Sequence, residues 1–89
     1  AGSLLYSTTK GAVITWTRAL SGELGPLGVR VNCVAPGLIL GSAFHATHTT
    51  PESAAATVAG IPLGRAGAPE DVARAVAYFA GEYDGFVTG

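Results

Sequence analysis

The sequence is poor in charged residues, and this shortage excludes two classes of protein. Asp, Glu, Lys and Arg make up 12% of the 89 residues, against about 25% in average soluble domains. Disordered segments combine low hydrophobicity with high net charge, whereas this chain is 48% hydrophobic with a net charge of −1. Five basic residues against six acidic ones also exclude a nucleic-acid-binding module that works through positive charge.

Long apolar runs and cysteines are scarce as well. Residues 75–80 form one of the longest apolar runs, whereas a spanning helix needs about 20 such residues, so we predict no membrane partner. The start shows no signal-peptide pattern, and one cysteine cannot build a disulfide framework. We therefore expect a cytoplasmic protein. Its apolar bias with so few charges indicates that these residues are part of something larger.

Apolar spacing and boundary residues predict three helices, which cover residues 4–24, 51–60 and 69–80. The first has Ser3 as its N-cap and ends at Gly25-Pro26, where Gly25 is free to adopt a positive φ. Only three of its residues are charged, so we expect it to be covered on more than one side, by the core and by a partner subunit. The second begins with Pro51 after the cap residue Thr50.

Two segments have the composition of β-strands. Val29–Ala35 is rich in β-branched residues and lies between Gly28 and Pro36, and residues 86–88 resemble the start of another strand. Helices alternating with strands indicate an α/β fold with a parallel sheet. A parallel strand needs neighbours on both edges, so this chain cannot make a sheet by itself. Either it is a fragment or its other strands lie outside this sequence.

Several chemically interesting residues are explained better by structure. Cys33 is expected to be a small buried apolar residue rather than a reactive thiol, and Asn32 to tie its strand to a neighbouring segment. Trp16 is predicted to lie in the core or at a subunit interface. Glu70 and Asp71, in the first turn of the third helix, complement its dipole and do not form an acid/base pair.

A loop with two histidines suggests a metal site, but weakly. His45 and His48 precede Glu52, yet no second carboxylate or thiolate cluster completes the four ligands that structural zinc requires. We predict no metal site. Either histidine could touch a substrate, although exposure to solvent is the favoured interpretation.

Tyr6 and Lys10 lie four residues apart near the start of the first predicted helix, and this spacing places both side chains on one face. An ammonium group and the positive end of the helix dipole both favour a phenolate. The pair therefore predicts a phenol that can give a proton to a carbonyl oxygen or take one from an alcohol. By itself a two-residue motif is weak, because such pairs are usually a core aromatic and a solvated cation.

The surrounding sequence strengthens this interpretation. The segments YSTTK (residues 6–10), VRVNCVAPG (29–37), IPLGR (61–65) and PEDVA (69–73) together resemble the C-terminal half of the single-domain branch of the short-chain dehydrogenase/reductase family. The resemblance covers nearly the whole chain. It implies a doubly wound, Rossmann-like parallel sheet in which residues 1–89 are the C-terminal part of one NAD(P)-binding domain. The last two segments are most similar to those of 3-oxoacyl reductases.

The resemblance also implies the site residues. It makes Tyr6 the catalytic acid/base, while Lys10 tunes it and holds the ribose hydroxyls of NAD or NADP. The turn after the strand packs beside the nicotinamide ring, and the main chain of Ile39 anchors the carboxamide. In full, the catalytic residues are Tyr6 and Lys10, and the cofactor-binding residues are Tyr6, Lys10, Pro36, Gly37, Leu38 and Ile39. Independently, a Pro fixes a turn and a Gly lets a flat ring approach the backbone.

Parts of the family pattern are absent. Position 41 is Gly where the family often has a Thr, so either Ser42 takes over that contact or it is lost. The glycine-rich pyrophosphate turn, the catalytic Ser and the residue that selects NAD or NADP belong upstream in the family, and Ser3 is better explained as a helix cap than as that Ser.

The function implied is hydride transfer between NAD or NADP and a small-molecule carbonyl or alcohol, by a homodimer or homotetramer. The alternatives are a redox-neutral epimerase or dehydratase with the same Tyr/Lys pair, and a catalytically silent family member used for binding. The 89 residues alone are expected to be inactive, for want of the pyrophosphate site.

Overall fold

The computed structural model describes residues 3–41 and 50–89. Within them lie three α-helices, α1 (Leu4–Leu24), α2 (Pro51–Ala59) and α3 (Pro69–Ala80), and a 3-10 turn, Gly25–Leu27, directly after α1. The chain divides into two compact units: unit 1 comprises residues 1–33 with 78–89, and unit 2 comprises residues 34–77. The three predicted helices are confirmed, with α2 ending one residue earlier than expected.

The start and end of α1 differ in detail from the prediction. Gly25 has φ −53°, in the right-handed helical region, and the left-handed residue is Gly28, with φ 75°. The positive φ predicted for Gly25 is therefore wrong, because the chain continues as a 3-10 turn with Pro26 at its start. Ser3 occupies the N-cap position, but its side chain makes no capping hydrogen bond, so the predicted side-chain cap is also wrong.

The other two helices begin as predicted. The Thr50 hydroxyl accepts a hydrogen bond from the Ser53 amide at 3.1 Å, and Pro51 occupies the first turn of α2. This arrangement satisfies one of the amides that a helix start leaves unpaired. Helix α3 begins at Pro69 and carries Glu70 and Asp71 in its first turn, so the acidic first turn is confirmed.

Neither predicted strand forms within the described residues, and both predictions are wrong for this structure. A strand exists only in a ladder of backbone hydrogen bonds with a neighbour, and among the described residues one backbone–backbone bond joins residues 29–35 to residues 86–89. Gly89 donates its amide to the Val31 carbonyl at 2.8 Å, while the Val31 amide donates to the Thr88 hydroxyl at 3.0 Å. The Asn32 side chain donates to the Val87 carbonyl at 2.8 Å, which confirms its structural role.

The one isolated β-bridge of the described segments joins Ile39 and Gly67 in the parallel sense. It shows the strand direction expected of a parallel sheet without forming a sheet, so the doubly wound sheet stays a prediction.

Burial is slight throughout the described part of the chain. Its buried residues are Thr17 and Asp84, and none of its apolar side chains is buried. Cys33 is exposed, so its predicted burial is wrong, because the strands that would cover it are not among the described residues. Trp16 is 60% exposed, which corrects its assignment to the core and the expected covering of α1. A subunit interface at Trp16 stays a prediction.

A buried ion pair fastens the two segments of unit 1. The Asp84 side chain, 3% exposed, lies 3.1 Å from the Arg30 guanidinium. Its other carboxylate oxygen accepts from the amides of Phe86 at 3.3 Å and Val87 at 3.0 Å. We call these four residues the Asp84 cluster.

No helix of the described residues is long and apolar enough to cross a membrane.

Candidate functional site

The first part of the candidate site lies near the start of α1, in unit 1. The Lys10 Nζ atom is 5.5 Å from the centroid of the Tyr6 ring, so the helix places the two side chains together as its geometry requires. This separation is within the range of a cation–π contact. The Tyr6 side chain is 65% exposed, which leaves room for a reacting group beside it.

Thr8 and Thr9, which lie between Tyr6 and Lys10, have a structural role in the helix. The Thr8 hydroxyl donates to the Leu4 carbonyl and the Thr9 hydroxyl to the Leu5 carbonyl, each at 2.7 Å. Bonds of this kind, four residues back along a helix, turn hydroxyl groups toward the backbone. The hydroxyl groups of Thr8 and Thr9 are thus engaged by the helix backbone.

The second part is the turn of residues 36–40, in unit 2. The Leu40 amide donates to the Gly67 carbonyl at 3.0 Å, and the Gly67 amide donates to the Leu38 carbonyl at 2.9 Å. In a parallel bridge of this form the intervening residue directs its own N–H and C=O to the opposite side. Ile39 therefore presents its main-chain polar groups away from Gly67, as a residue that holds a carboxamide must.

The same turn borders an open cavity of about 320 Å³, close to the lower end of ligand-site volumes. Its lining includes Gly37, Leu38, Ile39, Ile61 and Leu63. Among residues 3–41 and 50–89, nothing lies within 4 Å of the position that a Cβ would take at Gly37, so these residues leave the backbone there open to a flat group. The cavity thus combines an apolar wall with a turn whose central residue directs its main-chain polar groups away from Gly67.

Sequence reasoning missed a polar cluster that contributes Arg65 and Asp71 to the lining of this cavity. Asp71 accepts from the Ala68 amide at 2.8 Å and from the guanidinium groups of Arg65 and Arg74, each at 3.1 Å. We call these four residues the Asp71 cluster. The hydrogen bond from the Ala68 amide, then that from Arg65, lowers the pKa of the Asp71 carboxyl below its ordinary value of 3.8. The available signal was an Arg six residues before an acid at helix position three.

The six predicted site residues thus fall into two groups. Tyr6 and Lys10 lie together in unit 1, while Pro36, Gly37, Leu38 and Ile39 belong to unit 2. Ser42, His45 and His48 lie outside the described residues, and Glu52 is exposed. Within the described ranges, no group of three or more His, Cys, Asp or Glu side chains could hold a metal ion.

Comparison with known proteins assigns the chain to a family. The sequence profile described as enoyl-(acyl carrier protein) reductase matches residues 1–89. The (3R)-3-hydroxyacyl-CoA dehydrogenase of Mus musculus is 44% identical over 89 residues, a match that covers 99% of this chain and 33% of the mouse protein. The chain spans about a third of the length of the curated relatives it matches.

Two solved structures are similar over most of the chain. The 3-oxoacyl-[acyl-carrier protein] reductase of Brucella melitensis has a TM-score of 0.86 at 38% identity, covering 93% of this chain and 30% of that one. A variant of ElxO with NADPH bound has a TM-score of 0.82 at 30% identity, covering 99% of this chain and 37% of that one. On these matches, and as the YSTTK and VRVNCVAPG segments predicted, the chain belongs to the short-chain dehydrogenase/reductase family.

Proposed function

We propose that the protein containing these residues transfers a hydride between NAD or NADP and a carbonyl or alcohol, with Tyr6 as the acid/base. The observation that carries this proposal is the Tyr6–Lys10 pair on one face of α1, with the ammonium 5.5 Å from the ring, in a chain of an oxidoreductase family. Relatives named as 3-oxoacyl and 3-hydroxyacyl enzymes make a 3-oxoacyl or 3-hydroxyacyl thioester the first substrate class to test.

Each residue then has one task. The Tyr6 hydroxyl donates its proton to the substrate oxygen during reduction and takes it back during oxidation. The Lys10 ammonium lies beside the Tyr6 ring and binds the ribose hydroxyls, and Ile39 holds the carboxamide through its main chain. Pro36, Gly37 and Leu38 form the wall beside the ring. The bound nicotinamide supplies or accepts the hydride.

The cofactor assignment is supported by the open backbone at Gly37 and by the NADPH in the ElxO structure. Titration of the protein with NADH and with NADPH would decide between the two cofactors.

We further propose that residues 1–89 belong to one Rossmann-like domain of a cytoplasmic homodimer or homotetramer. The exposed apolar residues of α1, such as Leu4 and Trp16, support such an interface.

Replacement of Tyr6 by Phe tests the acid/base role. In the natural full-length polypeptide that contains these residues, Tyr6→Phe is expected to lower kcat by about 10²- to 10⁴-fold, since the proton donor is lost while the ring remains. The measurement is the change in reduced-nicotinamide absorbance with a 3-oxoacyl thioester. Tyr83→Phe is the matched control, because Tyr83 is fully exposed and lies outside the proposed site.

The outcome also separates the competing functions. Wild-type activity in Tyr6→Phe would refute the acid/base role. Substrate turnover without net change in the cofactor pool would identify a redox-neutral epimerase or dehydratase instead. Cofactor binding without turnover of any carbonyl or alcohol tested would favour a catalytically silent member.

A further inference from the structure

The position of the 36–40 turn depends on Gly67. Two backbone hydrogen bonds, Leu40 N–H to the Gly67 carbonyl and Gly67 N–H to the Leu38 carbonyl, enclose Ile39. The approach is close: a Cβ at Gly67 would lie 2.5 Å from the Ile39 Cδ1 atom. Any displacement of Gly67 therefore displaces the main chain of Ile39.

Gly67 is in turn held by Asp71. The Asp71 Oδ2 atom accepts from the Ala68 amide, directly after Gly67, and from the Arg65 guanidinium. The same guanidinium donates to the Ala66 carbonyl at 3.1 Å. One carboxylate thus fixes the residue on each side of Gly67, directly at Ala68 and through Arg65 at Ala66. The bond to Ala68 is one half of a capping box, from the third helical position back to the cap.

The neighbouring acid differs in this respect. Glu70 is exposed and carries the same charge in the same first turn of α3. Both acids complement the helix dipole, but it is Asp71 that accepts the hydrogen bonds from Arg65 and the Ala68 amide. The dipole effect is therefore shared by both residues, whereas the contact with the segment that carries Gly67 is specific to Asp71.

We propose that Asp71 is a positioning residue for nicotinamide binding: it holds residues 65–68, and through Gly67 it fixes the main chain of Ile39. This inference rests on the proposed function, since it requires Ile39 to contact the cofactor. Asp71 also lines the cavity beside the turn, and we expect its carboxylate to affect cofactor affinity through the position of Ile39.

The test compares Asp71→Asn with Glu70→Gln in the natural full-length polypeptide. Asn keeps the size of the side chain but cannot accept all three hydrogen bonds with a full negative charge. We expect amide hydrogen exchange at Leu40 and Gly67, measured by NMR, to quicken about tenfold in Asp71→Asn. The Kd for NADH or NADPH, measured by fluorescence titration, should rise by a similar factor. Glu70→Gln should match the wild type in both measurements.

Two further variants test whether a change in overall folding explains the effect of Asp71→Asn. Arg65→Gln keeps the Ala68 bond and removes the exposed guanidinium, so it should quicken the same two amides by a smaller factor. Asp71→Glu keeps the charge and can still cap the helix, so it should lie closer to the wild type than Asp71→Asn.

Each outcome decides a different point. Equal exchange at Leu40 and Gly67 in Asp71→Asn and Glu70→Gln would overturn the inference. So would faster exchange with an unchanged Kd, because the turn would then be held without consequence for binding. A wild-type protein that binds neither NADH nor NADPH refutes the proposed function and the binding role of Asp71 together, while the exchange data still report whether Asp71 holds the turn.

Discussion

Each unit of the chain contains an aspartate that accepts hydrogen bonds both from arginine and from the backbone, but the two aspartates differ in burial and in the sequence separation of their partners. In the Asp84 cluster of unit 1 the carboxylate is 3% exposed, and its arginine lies 54 residues away in the sequence. In the Asp71 cluster of unit 2 the carboxylate is 31% exposed, and its arginines lie six and three residues away.

This difference indicates different tasks for the same chemistry. When its partner is removed, a buried carboxylate cannot be solvated by water instead. The Asp84 cluster therefore joins distant segments and contributes to stability. Exposed ion pairs contribute little to stability, so the value of the Asp71 cluster lies in where it holds residues 65–68.

Arg30→Ala should have the largest effect on stability. The variant leaves the buried Asp84 carboxylate without its counter-charge, and we expect the free energy of unfolding to fall by about 3 kcal/mol in the full-length polypeptide. Denaturant unfolding measures this loss. The matched variant is Arg65→Ala, which removes an exposed arginine from the Asp71 cluster and should cost much less. Equal losses in the two variants would remove the distinction between the clusters.

The N-caps of α1 and α2 offer a second comparison, in which the expected changes in the free energy of unfolding are smaller. Thr50→Ala removes a hydroxyl that accepts the Ser53 amide and should lower the free energy of unfolding by about 1 kcal/mol. Ser3→Ala removes a side chain that makes no capping bond, so its change should be close to zero. Denaturant unfolding of both variants checks this, and a comparable loss in Ser3→Ala would show that Ser3 caps α1.

The smallest predicted effect is that of acidification on the Asp71 cluster. The pKa of Asp71 is lowered by the Ala68 amide and by Arg65, with Arg74 acting in the same direction. A carboxyl with a lowered pKa contributes stability above its ordinary pKa and loses that contribution as the pH falls through the lowered value. Amide exchange at Ala68, corrected for intrinsic rates, should therefore be constant from neutral pH to about 4 and quicken below it. Quickening that is already complete above the ordinary value of 3.8 would contradict the lowered pKa.

Local signals explain what could be predicted from the sequence. The bounds of α1 and α3 follow from apolar spacing and from prolines or glycines at their ends, which act within a few residues. The family segments likewise located Tyr6 and Lys10 on one helix face. Thr50 was identified because a side-chain cap needs only its own helix.

Most of the features that the sequence did not predict depend on distant residues, and the role of Asp71 is the local exception. Residues 29–35 have strand composition, but a ladder and the burial of Cys33 both require neighbouring strands. The Arg30–Asp84 pair joins residues 54 apart, and no local pattern relates them. The role of Asp71 was missed because two acids in a first turn are explained sufficiently by the helix dipole, until the contact with residues 65–68 is known.

The discontinuous make-up of unit 1 has a consequence for how the chain folds during synthesis. Unit 2 is one continuous stretch, whereas unit 1 combines residues up to 33 with residues 78–89. As the polypeptide leaves the ribosome, unit 2 can complete its internal contacts first, while Arg30 has to wait until Asp84 has been made. Closing so long a loop costs chain entropy before any contact compensates for it, so we expect the Arg30–Asp84 pair to form after the local contacts of the helices.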